Sequence, residues 1–148
     1  MSSSEPAIVS RHLARLLALI ALLALTPARA ELVIVAGARS GITELSREHA
    51  EKLYLGRATT LSDGTPVTLM DLPVGTARDD FYLKLAGKNS TQIRAYWSRL
   101  VFTGRAMPPR EADSIAEARQ WLADIPNLIG YVDRADVTPG MRVLLRLP

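Results

Sequence analysis

The residues best suited to binding chemistry lie together at the start of a predicted helix and are Gly75, Thr76 and Arg78. The first turn of a helix exposes free backbone N–H groups and carries a partial positive charge, so it attracts oxyanions. Gly75 would let an anion approach the backbone closely, and the Thr76 hydroxyl and Arg78 guanidinium can donate hydrogen bonds to it. We therefore predict an anion-binding site at these three residues.

The same segment also has a purely structural interpretation. Thr76 and Asp79 have the spacing of a capping box, in which each side chain accepts a hydrogen bond from a backbone N–H of the first turn. The Asp79 carboxylate would also repel an anion. Because such caps are common, the local sequence by itself favours a cap over an anion site.

Side chains that could support catalysis or hold a metal ion are sparse. His49 is the only histidine after residue 30, and we expect it to be an exposed residue of a helix. No serine lies in a nucleophile-elbow motif. Asp79 and Asp80 are adjacent, so on a helix they point about 100° apart and cannot share a proton or bind a metal ion by themselves. The chain has no cysteine, which excludes thiol nucleophiles and disulfides. We predict no enzyme activity, no catalytic residue, no metal site and no cofactor.

The N-terminal residues have the pattern of an export signal. Arg11 and Arg15 precede an apolar run at residues 16–25, and Ala28 and Ala30 supply the small side chains that signal peptidase recognises. A membrane-spanning helix needs about 20 apolar residues, so this run is too short to be an anchor.

We therefore predict a signal peptide at residues 1–30 and one domain at residues 31–148, periplasmic or secreted after cleavage near Ala30. The whole chain has 18 Lys and Arg against 15 Asp and Glu, and part of that excess lies in the signal. The remaining near-neutral domain lacks the concentrated charge of a nucleic-acid-binding protein. We expect no nucleic-acid partner and no membrane insertion of the mature chain.

The elements that must position Gly75, Thr76 and Arg78 alternate between strands and helices. Apolar runs predict strands at residues 32–36, 67–70, 129–132 and 141–147. Apolar periodicity and capping residues predict helices at residues 46–55, 75–86, 90–102 and 114–125. Short connections between alternating elements indicate an α/β fold, a single three-layer α/β/α lobe with a mostly parallel sheet.

One predicted helix has a complete apolar stripe. Ile93, Tyr96, Trp97, Leu100 and Val101 follow the spacing of a helix face that packs on a core. We therefore expect all five side chains to face the interior.

Several segments occur in an order that resembles the substrate-binding proteins of phosphate ABC transporters. The segments are residues 45–48, 53–57, 67–70, 75–81 and 127–132. Residues 96–105 add a pattern that is most similar to a short, single-lobe branch of that family. The resemblance implies one lobe of the type 2 periplasmic-binding-protein fold. In two-lobed members, helix N-termini and hydroxyl groups hold phosphate between the lobes.

The resemblance places Gly75 and Thr76 at the closing Gly-Thr of the family's anion loop, with Arg78 in the same turn. Pro73 and Val74 stand where the family has Ser-Gly, which removes one hydroxyl donor. The implied function is an exported solute-binding module that recognises phosphate or a similar oxyanion, in uptake or sensing beside a membrane transporter or receptor. The alternative is a ligand-free interaction module that kept the lobe fold and docks a partner or itself.

Overall fold

The computed structural model describes residues 30–148, so all but the last residue of the predicted signal peptide lies outside the described residues. Within them, five strands and four α-helices follow in the order β1 (Leu32–Gly37), α1 (Arg47–Tyr54), β2 (Thr68–Asp71), α2 (Thr76–Ala86), α3 (Ser90–Phe102), β3 (Arg110–Glu111), α4 (Ile115–Asp124), β4 (Leu128–Asp133) and β5 (Met141–Leu147).

The strands form one sheet in the order β3-β2-β4-β1-β5. β2 pairs in parallel with β3 and with β4, whereas β1 pairs antiparallel with β4 and with β5. Parallel neighbours need a crossover connection, which α2 and α3 supply between β2 and β3. The predicted α/β fold is confirmed, and parallel pairing holds for the β3-β2-β4 half of the sheet.

Helices cover both faces of the sheet. Successive strand residues point to opposite faces. In β4, Gly130 faces α4, and a Cβ atom there would lie 3.6 Å from a methyl group of Leu122. The next residue, Tyr131, faces the other side and stacks on Phe81 of α2. Tyr54 of α1 contacts that same tyrosine ring edge-on. The predicted three-layer α/β/α arrangement is confirmed.

Local capping chemistry begins three of the four described α-helices. Ser46 accepts a hydrogen bond from the first turn of α1, and Ser114 does the same for α4. At α3, Asn89 and Gln92 form a reciprocal capping box. These side chains satisfy backbone N–H groups that have no partner within the helix. Among the described residues, no helix has the length and apolar character needed to cross a membrane.

The apolar stripe of α3 is only partly buried. Ile93 and Trp97 lie in the core, and Tyr96 and Leu100 are half-buried against it. Val101 is 43% exposed, so the expectation that all five side chains face the interior is wrong for this residue. The last turn of α3 lies beside a groove, described below, rather than beneath another element.

A close contact between β1 and α4 leads to a stability prediction. A Cβ atom at Gly37 would lie 2.4 Å from the backbone oxygen of Leu122, which cannot rotate away as a side chain could. Gly37→Ala should therefore force β1 and α4 apart and lower the free energy of unfolding by about 1–3 kcal/mol, measured by urea denaturation.

Gly41→Ala is the matched control, because a Cβ atom there meets nothing within 4 Å. Equal unfolding free energies for the two variants would contradict the close packing of α4 on β1.

Candidate functional site

The carboxyl end of β2 carries a buried charged residue, Asp71, which is 1% exposed. The parallel register of β2 and β4 sets it beside Tyr131. The Tyr131 hydroxyl donates to Asp71 Oδ1 at 2.5 Å, and the Tyr82 hydroxyl, from α2, donates to Oδ2 at 2.8 Å. Two tyrosines from different elements therefore satisfy one carboxylate.

An aromatic cluster holds these hydroxyl groups in place. Phe81 stacks on Tyr131 with ring centroids 3.6 Å apart, and Tyr54 meets Phe81 edge-on at 4.7 Å. The Tyr54 hydroxyl lies 3.1 Å and 3.3 Å from the carbonyl oxygens of Met70 and Ile129, to which it donates. The cluster thereby ties α1 and α2 to the two central parallel strands.

Burial governs the acid–base behaviour of this cluster. Burial raises the pKa of the Asp71 carboxyl, and the hydrogen bond from Tyr131, the charge of Arg78 and the hydrogen bond from Tyr82 offset only part of that increase. Burial and the Asp71 charge also raise the pKa of Tyr82 and of Tyr131 well above the usual value. Both tyrosines therefore remain hydrogen-bond donors at ordinary pH.

Arg78 completes the polar cluster from the first turn of α2. Its Nη1 donates to Glu111 Oε2 at 2.7 Å, and its Nη2 lies 3.5 Å from Asp71 Oδ2. β3 positions Glu111 by pairing in parallel with β2. Burial opposes the charge of Arg78, but the Asp71 charge and the Glu111 hydrogen bond raise its pKa overall. The guanidinium that was predicted to face an anion thus contacts two carboxylates of its own chain.

Gly75 and Thr76 lie on the surface at the start of α2. The helix begins at Thr76, so Gly75 is the N-cap residue and has no side chain to accept a bond from the first turn. The predicted capping box of Thr76 with Asp79 is therefore wrong, because Thr76 lies inside the helix rather than before it. Gly75, Thr76 and Ala77 are exposed and no side chain caps this turn, as an anion site requires.

An open groove of about 480 Å³ runs between α2, α3 and the segment that follows α3. Apolar lining comes from Val74, Ile93, Trp97, Val101 and Pro108. Three residues were predicted to bind an anion. In this structure the Arg78 side chain lines the groove, whereas Gly75 and Thr76 of the same turn do not.

His49 has a structural contact. It was predicted to be an exposed helical histidine, but it is half-buried and its Nε2 lies 2.7 Å from the Thr60 carbonyl oxygen. This hydrogen bond holds the loop before β2 against α1. Among residues 30–148, no three acidic or histidine side chains converge as a metal site would require.

Sequence reasoning missed four members of the polar cluster: Asp71, Tyr82, Glu111 and Tyr131. Asp71 directly follows the predicted strand at residues 67–70, and Glu111 lies between the predicted helices at residues 90–102 and 114–125. The available signal was an aspartate directly after an apolar strand, because ligands and polar groups of parallel sheets collect at that edge.

No protein-family model and no curated protein matches the sequence. Solved structures with a similar fold include an ABC-type phosphate transport receptor from Vibrio cholerae, at 15% identity and a TM-score of 0.61. A protein from Clostridium perfringens with bound phosphate, assigned as a phosphate ABC transporter substrate-binding protein, has 14% identity and a TM-score of 0.60.

The two alignments cover 78% of this chain but 46% and 45% of the solved chains, so this chain spans less than half of their length. The predicted resemblance to phosphate ABC transporter binding proteins is confirmed at the level of the fold, and these neighbours are binding proteins of transporters rather than enzymes.

The buried carboxyl leads to a pH prediction. Because folding raises the pKa of Asp71, its favourable contribution is complete below the unfolded pKa of about 3.9 and is lost as the pH rises through the folded pKa. Asp71→Asn keeps an acceptor for Tyr131 and cannot ionise. The difference in unfolding free energy, variant minus wild type, should therefore increase as the pH rises from about 4 to about 7.

Urea denaturation at several pH values measures this difference, and Asp124→Asn, which removes an exposed carboxylate at the end of α4, is the control. A pH-independent difference for Asp71→Asn would show that folding does not perturb this carboxyl.

Proposed function

We propose that this protein is an exported, non-enzymatic module that recognises phosphate or a similar oxyanion at Gly75, Thr76 and Arg78. The observation that carries the proposal is the exposed first turn of α2, where the N-cap is a glycine. Backbone N–H groups in such a turn point outward and carry partial positive charge. The turn directly follows β2, at the sheet edge where ligands of open α/β folds collect.

The solved neighbours indicate which oxyanion should be tested first. The Clostridium perfringens protein was solved with bound phosphate, and the Vibrio cholerae protein is a phosphate transport receptor. Phosphate uptake or sensing beside a membrane transporter or receptor is the corresponding role for this chain. At 15% and 14% identity the likeness carries the fold alone, so the argument for an anion rests on the α2 turn.

Glu111 acts in this proposal as an internal competitor. It occupies Nη1 of Arg78 at 2.7 Å, on the groove side of the first turn. An oxyanion at the amides would gain a charge-assisted hydrogen bond only by drawing the guanidinium away from Glu111. The exposed position of the turn also leaves a bound anion partly hydrated, so we expect weak affinity.

Titration with inorganic phosphate at constant ionic strength tests the proposal by calorimetry. Thr76→Val removes one hydroxyl donor and should weaken binding by about 3–10-fold. Glu111→Gln removes the competing charge and should tighten binding by about 3–10-fold, since Arg78 then keeps only Asp71 as an anionic partner. A rise in melting temperature with phosphate gives an independent measure, because a ligand at 100 times its Kd stabilises a protein by about 2.7 kcal/mol.

Thr91→Val is the matched control for Thr76→Val. Thr91 is an exposed threonine in the first turn of α3, where Asn89 already caps the helix. The proposal fails if phosphate produces neither heat nor a shift in melting temperature, or if the two threonine variants bind alike.

Export is the second part of the proposal and rests on residues 1–30. Protein expressed from the complete sequence in a bacterium with a periplasm should be recovered there with the mass of residues 31–148. Ala28→Arg should block cleavage, because the peptidase needs a small side chain at that position, whereas Arg29→Ala at the tolerant middle position should not. Recovery of the full-length mass from the cytoplasm would contradict export.

A further inference from the structure

Large apolar side chains are exposed around the groove between α2 and α3. Phe102, the last residue of α3, is 93% exposed, and Val74 and Met107 are 80% and 78% exposed. Val74 and Val101 line the groove itself, and Phe102 follows Val101 directly in the chain. Large apolar side chains clustered in this way mark interaction surfaces more often than side chains scattered singly.

Phe102 stands at the rim of the groove and leaves the groove unfilled. Ser98 lines the groove, and residues four apart on a helix share a face, so Phe102 in the last turn of α3 extends the wall that Ser98 begins. A cavity of ~150 Å³ is large enough to hold a benzene molecule. The groove, at about 480 Å³, therefore has room for a phenylalanine ring and its neighbours.

Exposed charges of opposite sign lie on the two helices that border the groove. α3 carries Arg94 and Arg99 and no acidic residue, whereas the Arg78 charge of α2 is already paired with Asp71 and Glu111. Arg99 is exposed on α3, three residues before Phe102 and thus on the same face. The opposite wall carries Asp79, an exposed acidic residue on α2. The same surface therefore carries two complementary features. One is the exposed ring of Phe102 with the basic Arg99 nearby, and the other is the apolar groove with the acidic Asp79 at its edge.

We propose that this surface is the interface of a symmetric homodimer, in which Phe102 of each copy enters the α2–α3 groove of the other. A two-fold axis brings a surface patch of one copy against the identical patch of the other. Each dimer would therefore contain two equivalent contacts, each between the Phe102 ring of one copy and the groove of the other. The same symmetry sets Arg99 of each copy opposite Asp79 of the other. A second copy is the occupant because the chain itself presents both halves of the fit, the apolar ring and the oppositely charged rims.

Sedimentation velocity of the complete chain, as processed by the expression host, tests the proposal over low to high micromolar concentrations. The wild type should shift from monomer to dimer. Phe102→Ala should raise the dimer dissociation constant at least about 100-fold, because the side chain is lost twice per dimer and central aromatic residues dominate such interfaces. The variant should fold normally, since the ring is almost fully exposed.

Val143→Ala is the matched control, because it removes another exposed apolar side chain from β5, outside the groove. It should leave the dissociation constant unchanged. A charge exchange supplies a second test. Arg99→Asp and Asp79→Arg should each weaken the dimer by about tenfold, and the double variant should recover most of the loss.

A wild type that stays monomeric at every concentration, a Phe102→Ala variant that dimerises as strongly as the wild type, or a double charge variant without recovery would each overturn the proposal. The first outcome would leave the groove to a different protein. Association does not depend on oxyanion binding. Phe102→Ala leaves the α2 turn intact and should bind phosphate as the wild type does, so failure of one proposal is distinguishable from failure of the other.

Discussion

A single buried carboxylate constrains the half of the structure around the candidate site. Asp71 ends β2 in the interior, where an ionised group is costly unless several donors surround it. Tyr131 on β4 and Tyr82 on α2 donate hydrogen bonds to Asp71, and the Arg78 guanidinium of α2 lies 3.5 Å from it. Glu111 of β3 accepts a hydrogen bond from the outer side of that guanidinium. Each of these elements must be in register for the charge to be satisfied, so the cluster couples strand pairing to helix position.

The same cluster determines what the α2 turn can do. Because Arg78 is held by Asp71 and Glu111, its charge is directed toward the groove and the sheet edge rather than held free for a ligand. The backbone amides of the turn are unaffected and remain exposed behind Gly75. Any oxyanion recognised here must therefore use the amides first and compete for the guanidinium second. A solvent-exposed turn whose arginine is already paired with two carboxylates is suited to weak, rapidly reversible binding of an oxyanion.

The lobe presents two surfaces with different physical character. The α2 turn is polar and small, and its chemistry suits an anion. The groove beside it is apolar and large, with the exposed ring of Phe102 next to it and exposed charges of opposite sign at Asp79 of α2 and Arg99 of α3. The two surfaces meet at Arg78. Its backbone is part of the α2 turn, and its side chain lines the groove. A protein of the same fold, of which this chain spans less than half the length, was solved with bound phosphate.

Local patterns in the sequence predict the four described helices and the four longer strands, whereas β3 lies in a segment for which they predict no element. The strand bounds Met141–Leu147, the caps at Ser46 and Ser114, and the burial of Trp97 could all be predicted, because each depends on neighbours within a few residues. The order of the sequence motifs also predicted the α/β lobe.

The hydrogen-bond and ion-pair partners of Asp71 and Arg78 depend on the tertiary structure. Tyr131 lies 60 positions from Asp71 in the chain, and Glu111 lies 33 positions from Arg78. Strand register fixes these long-range pairings, and no local sequence pattern indicates them. Val101 and Phe102 became surface for the same reason. Periodicity predicts which side of a helix is apolar, but only packing determines whether another element covers it.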